Sequence, residues 1–194
     1  MVQVETGGLD ATQLGRSAVT VVDVSGLAGA PMNAVVRGVA ETLYRARVTG
    51  ETERLPWLFV DEAHTFLDGV AGRALERLLT RGRAPGVSLV LATQRPSAVP
   101  AVGVSQADLL CSHRLTASTD IEALRAAQPS YMADSLTERM PTRPGTLLVV
   151  DDATETVHTA RVRRRWTPHG GASPRASEQP PGERASNERH GTPR

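Results

Sequence analysis

The chain contains no lysine. All 22 of its basic residues are arginines. Coding bias explains part of this, but the chemical consequence stands: a phosphate-binding loop of the G-x-x-x-x-G-K-[ST] kind is excluded, because its lysine is missing. Cysteine is nearly absent too. Cys111 is alone, so no intrachain disulfide can form, and its apolar setting, ADLLCSHRL, predicts a buried, inert thiol. Aromatic residues make up 3% of the chain, so aliphatic side chains must fill any core. No run of about 18 apolar residues occurs, which excludes a membrane-spanning helix. The N-terminal MVQVETGG has neither the basic nor the apolar region of a secretory signal, so the cytoplasm is the expected compartment. The net charge of +1 argues neither for nor against a nucleic-acid partner.

What is present suits one folded domain of 194 residues, 40% apolar and 22% charged. AVTVVDVSG at 18–26 reads as a buried strand. Pro31 opens an amphipathic helix over roughly 31–48, with Met32, Val35, Val36, Val39, Ala40, Leu43 and Tyr44 at helical spacing. WLFVD at 57–61 is a second strand, and Asp68 is placed to cap a helix over about 69–80. SLVLATQ at 88–94 is a third strand and DLLCSHRLT at 108–116 a fourth. A short helix near 119–127 follows, then another from Pro129 to about 139. GTLLVVDD at 145–152 and TVHTARVRR at 156–164 form a closing antiparallel pair. Strands alternating with helices predict an α/β fold: a mainly parallel sheet with helices on both faces. Residues 1–166 form this domain. Residues 167–194 carry four Gly, five Pro and four Arg and no large apolar residue, which predicts a disordered tail.

In such sheets ligands bind beyond the carboxyl ends of the strands, and Asp61, Glu62 and Gln94 all fall there. An apolar strand ending in Asp-Glu fits metal-assisted phosphoryl transfer: the Asp holds Mg2+, directly or through water, and the next acid polarises an attacking water. Adjacent strand residues point oppositely, so Glu62 reaches the same site as Asp61 only if the strand has already ended. A helix-capping or surface acid pair is the blander reading. Gln94 at a strand tip can bond both a phosphate oxygen and the attacking water; otherwise it is a polar residue at a strand–loop junction. Arg81 and Arg83 flank a Gly-rich turn in LLTRGRAPGVS, where an arginine can reach a phosphate on a neighbouring subunit or simply be solvated. The five histidines show no metal-ligand spacing, and no G-x-S-x-G or H-E-x-x-H motif occurs.

Taken together, LPWLFVDEAHTFLDG, RGRAPGVSLVLATQRPS and HRLTASTD resemble the HerA/FtsK group of ring-forming, DNA-translocating P-loop ATPases, most closely the HerA-type helicases, over about residues 18–165. The resemblance implies a RecA-like ATPase domain, ATP and Mg2+ as cofactors, DNA as partner, a homo-hexamer and a NurA-type nuclease partner. It gives Asp61 and Glu62 as the Walker B acids, with Asp61 on Mg2+ through water, and Gln94 as the sensor glutamine. Arg83, or else Arg81, becomes the trans-acting finger, and Arg114 an arginine facing nucleotide across the subunit boundary. DEAH at 61–64 also matches a helicase box, a weak indication without the phosphate loop, and His64 reads as a polar helix-edge residue. Arg161, Arg163, Arg164 and Arg165 form the densest basic patch, which can contact a phosphate backbone or, in the blander and favoured reading, is a charged exit from the last strand into the tail. Residues 96–107 are a candidate DNA-contacting loop. The departure is the phosphate loop. TGG at 6–8 is too short, and GLAGAPMN at 26–33 lacks the K-[ST] ending. The chain therefore resembles the C-terminal part of such an ATPase, as a truncated, mis-started or split gene would produce, and is expected to be inactive alone. The alternative is a non-catalytic module that assembles with a full ATPase or a nuclease.

Overall fold

The computed structural model describes residues 14, 17–126, 138–164 and 166. Helix α1 runs Ala30–Val48 with proline in its first turn. Strand β1 (Trp57–Val60) leads through a 3-10 turn at Ala63–Thr65 into α2 (Gly69–Arg81), and β2 is Ser88–Leu91. A second 3-10 turn (Pro96–Ala98) and α3 (Ala101–Ser105) precede β3 (Leu109–Ser112). Helix α4 (Ser118–Ala126), β4 (Thr146–Asp151) and β5 (Thr156–Arg161) complete the order.

The strands form two ladders. β1 and β2 pair in parallel, from Trp57 opposite Ser88 to Val60 opposite Leu91. β4 is the middle strand of an antiparallel sheet in the order β3-β4-β5. The result is the α/β class expected, with the closing pair antiparallel as expected. α1 and α2 pack on one face of the parallel pair, where Ala40, Val60, Ala63, Phe66, Ala71, Ala74, Leu75, Leu78 and Val87 form the main core. A second core of Leu124, Leu148 and Val150 joins α4 to the antiparallel sheet. Leu75 and Leu148, both with no exposure, anchor the two. Arg47 fastens the connecting loops: its Nε donates to the Pro85 carbonyl and its Nη1 to that of Thr52, each at 2.7 Å. Gly72 lets α2 press against the segment before it, since a Cβ there would run into the Leu67 carbonyl.

Several expectations are corrected. Residues 18–26 are not a ladder strand among the described residues: Val19 and Val21 are exposed, and only Val24 packs on the core. The segment is covered on one side alone, and among the described residues no neighbouring strand completes its backbone hydrogen bonds. Asp68 occupies the N-cap position of α2, but its side chain makes no capping bond; its carbonyl instead accepts the Gly72 N–H. Cys111 is exposed rather than buried. Its sulfur still loses enough water for the thiol pKa to be raised, so exposure sets its access while desolvation holds back its reactivity. Residues 96–107 are not an open loop but a 3-10 turn and a five-residue helix. The helix expected from Pro129 lies, over 129–137, outside the described residues, as do Arg165 and the tail from 167. Residues 163–194 separate from 1–162 as a second unit, in which the Arg163 guanidinium lies 4.0 Å from the centre of the Trp166 ring. No helix among the described residues is long and apolar enough to cross a membrane.

Candidate active site

β1 ends at Val60, which places Asp61 and Glu62 in a turn at its carboxyl end. Glu62 has φ 48° and ψ 45°, the left-handed region that a non-glycine residue enters at a cost of about 1 kcal/mol or more. This turn resolves the geometric problem of two adjacent acids: the reversal at Glu62 brings its side chain to the rim where Asp61 already lies. The strained backbone is held from three directions. The Glu62 N–H donates to Asp61 Oδ1 at 3.0 Å. The Glu62 carbonyl accepts both the N–H and the hydroxyl of Thr65, each at 2.9 Å. The Ala63 N–H donates to the Ala92 carbonyl at 2.8 Å, stitching the turn to the end of β2.

β2 continues as extended chain into Thr93 and Gln94. The Gln94 amide Nε2 donates to Glu62 Oε1 at 2.7 Å. That length is typical of a hydrogen bond strengthened by the carboxylate charge. Glu62 Oε2 lies 3.4 Å from His64 Nδ1, and the same ring nitrogen is 3.1 Å from Thr93 Oγ1. The Arg95 N–H donates to Thr93 Oγ1 at 3.0 Å. The His64 side chain is mostly covered, at 18% exposed, whereas that of Glu62 is 43% exposed. The glutamate is thus held from behind and open in front, which suits a carboxylate that meets water.

The structure therefore brings Glu62 and Gln94 into contact and sets Asp61 beside them, exposed and with one oxygen engaged. It does not bring the arginines there. Arg81 ends α2, and Arg83 lies in the following turn, 94% exposed and 3.9 Å from Asp108. That turn leads into the start of β2, roughly 20 Å of extended chain away from the rim where Gln94 sits. Arg114 is exposed just past β3. His64 and Thr93 are the rim residues that sequence reasoning missed. Their signal was spacing: His64 stands two residues after Glu62 on a turn, and Thr93 immediately precedes Gln94.

The donor set at the rim fits one partner and not the other. Asp61 offers a hard oxygen at an exposed edge, which fits a water-linked Mg2+. Among the described residues no group of three or more His, Cys, Asp or Glu side chains gathers for a metal held by protein alone. A triphosphate finds no lysine anywhere in the chain.

No known family profile and no curated protein matches this sequence. Solved structures do match. The genome-packaging NTPase B204 from Sulfolobus turreted icosahedral virus 2, in complex with ATP-gammaS, superposes with a TM-score of 0.52 at 20% identity, over 64% of this chain and 61% of that one. Its complex with AMPPCP gives 0.53 at 21% identity, over 66% and 65%. B204 from Sulfolobus turreted icosahedral virus, described as the DNA-packaging ATPase, gives 0.55 at 18% identity, over 84% and 80%. The chain thus spans a little over three fifths of the first of these. The likeness shows the fold: this chain has the RecA-like α/β architecture of those packaging NTPases.

Proposed function

We propose that the chain supplies the hydrolytic rim of a DNA-translocating ATPase of the HerA/FtsK kind and works when a phosphate-binding loop is provided by further polypeptide or another subunit. The observation that carries this reading is the 2.7 Å bond between Gln94 at the tip of β2 and Glu62 at the tip of β1. It joins the two side chains that an ATPase of this kind needs side by side. Glu62 accepts a proton from a water at the open face of the rim, and Gln94 orients its carboxylate. Asp61 would hold Mg2+ through water, and the ion, when bound, neutralises phosphate charge. Arg83, or Arg81, would act on a neighbouring subunit's site, since the opposite end of the sheet bars it from its own. Arg114 is assigned the same intersubunit direction. The packaging NTPases of like fold support DNA as the partner and nucleotide as the ligand; a hexameric ring and a NurA-type nuclease are the finer expectations.

Alone, the chain should hydrolyse ATP negligibly. Combined with a loop-bearing polypeptide it should turn over, and Glu62→Gln should lower that turnover roughly 10²- to 10⁴-fold, the usual weight of a general base. Equal turnover in the two proteins ends the proposal.

One observation favours a second reading, a non-catalytic module that assembles with a full ATPase or a nuclease. β1 and β2 each have a single ladder neighbour among the described residues, and Trp57 and Phe59 lie bare on one face, 64% and 69% exposed. Pull-down from cells separates the two: a chain recovered alone and monomeric leaves the module reading without ground.

A further inference from the structure

His64 Nδ1 sits between two oxygens, Thr93 Oγ1 at 3.1 Å and Glu62 Oε2 at 3.4 Å. The carboxylate oxygen facing Nδ1 favours one placement of the proton. Thr93 Oγ1 already accepts the Arg95 N–H at 3.0 Å, which leaves it one lone pair and its own hydrogen. Were Nδ1 bare, the hydroxyl would donate to it, and the Nδ1 lone pair would be spent on that bond while facing a carboxylate oxygen with no hydrogen between them. With a hydrogen on Nδ1, the N–H bonds the threonine oxygen and its positive end also faces the carboxylate oxygen 3.4 Å away. The second arrangement leaves no bare nitrogen lone pair facing the carboxylate, and the Thr93 hydroxyl hydrogen turns away from the ring.

We propose that His64, braced by Thr93, is a positioning residue for Glu62: its Nδ1–H holds Oε2 while Gln94 holds Oε1, so both oxygens of the carboxylate are anchored to the tip of β2. This rests on the reading of Glu62 as the hydrolytic base. The brace gives the threonine before Gln94 a purpose. Two consecutive residues of one strand tip reach the same carboxylate, one directly and one through an imidazole. It also compensates for mobility. Glu62 is anchored at the backbone in a strained turn, yet its side chain extends from that turn across an open rim. A single bond to Gln94 leaves the carboxylate free to rotate about that contact; a second bond to the other oxygen fixes its plane.

The first test needs only the chain itself. Long-range proton–nitrogen correlation spectra of the histidine-labelled protein, with His64 identified by its loss in His64→Asn, should show the neutral ring protonated at Nδ1. Thr93→Val should shift that ring toward a mixture of tautomers. A ring protonated at Nε2 in the unaltered chain, or one indifferent to Thr93→Val, overturns the proposal. The second test uses the ATP-hydrolysing assembly. His64→Ala should lower kcat roughly tenfold, as the loss of one bond to a charged group does, with KM unchanged. His64→Asn, whose amide can donate from a similar position, should restore most of it. In a Glu62→Gln background His64→Ala should cost nothing more. Full kcat in His64→Ala also overturns the proposal. If Glu62→Gln itself keeps full turnover, the hydrolytic reading of the rim falls while the tautomer result still answers for His64.

Discussion

The two sheets of this molecule are built from similar apolar strands and treat them differently. β4, flanked on both sides, buries Leu148 and Val150 at 0% and 3% exposure. β1, with one ladder neighbour among the described residues, buries Val60 but leaves Trp57 and Phe59 bare, their rings stacked 6.3 Å apart. The antiparallel sheet, packed against α4, gathers no group of three or more metal-ligating side chains among the described residues. The parallel pair, covered on one face only, carries the whole Glu62–His64–Thr93–Gln94 network at its tip. The comparison separates burial from display: where strands are enclosed they make core, and where two parallel strands end together they gather polar side chains at a rim.

The largest expected effect that sharpens this contrast is functional. Glu62→Gln should abolish nearly all turnover of the assembled ATPase while leaving thermal unfolding of the chain unchanged within error. A large loss of stability would mean the rim is structural. Next in size, Leu75→Ala and Leu148→Ala should each destabilise by about 2–5 kcal/mol in urea unfolding, because each removes a fully enclosed side chain. If Leu148→Ala splits the transition in two, the two sheets fold independently. Smaller is the contrast within β1 itself. Val60→Ala should cost about 2 kcal/mol and Phe59→Ala about 0.5 kcal/mol or less, since only the first loses core packing. Equal costs would show that the bare face is covered in solution.

The smallest effect concerns the joint between the halves. The hydroxyl and the backbone N–H of Ser97, in the turn after Gln94, hold Asp120 of α4 below its ordinary pKa of 3.8, and the charge of Arg95 adds to this. Ionised Asp120 therefore stabilises the fold. That contribution is complete above the unfolded value and is lost as pH falls through the lowered folded one. Asp120→Asn should flatten the acid limb of the stability profile below about pH 4. Because Asp120 is only half-buried and its bond to Ser97 is exposed, the change should be slight, a small shift in the midpoint of acid unfolding.

Much of this was legible in the order of residues. The helical spacing from Met32 to Tyr44 placed α1, and Pro31 stands in its first turn. The apolar runs before Asp61 and Gln94 mark β1 and β2, and their shared carboxyl ends set Glu62 and Gln94 at one rim. The errors have physical causes. The valines of 18–24 have the propensity of a strand, but a strand exists only where a neighbour pairs with it. Cys111 sits among apolar residues in sequence yet faces outward, because strand neighbours alternate sides. His64 read as an edge residue because nothing local says that Thr93, 29 residues on, will lie 3.1 Å away.

What the order of residues determined by itself was the absence of a lysine, and with it of a phosphate-gripping loop, and the presence of acids and an amide where hydrophobic runs stop. Those are matters of composition and local pattern. Only the fold decided that Glu62 would turn through a left-handed residue onto the rim of Asp61, that its two oxygens would meet Gln94 and His64, and that Arg83 would be left at the far end of the sheet. Such choices depend on the register of β1 against β2 and on the backbone reversal after Val60, and a pairing between distant strands is written in no single stretch of chain.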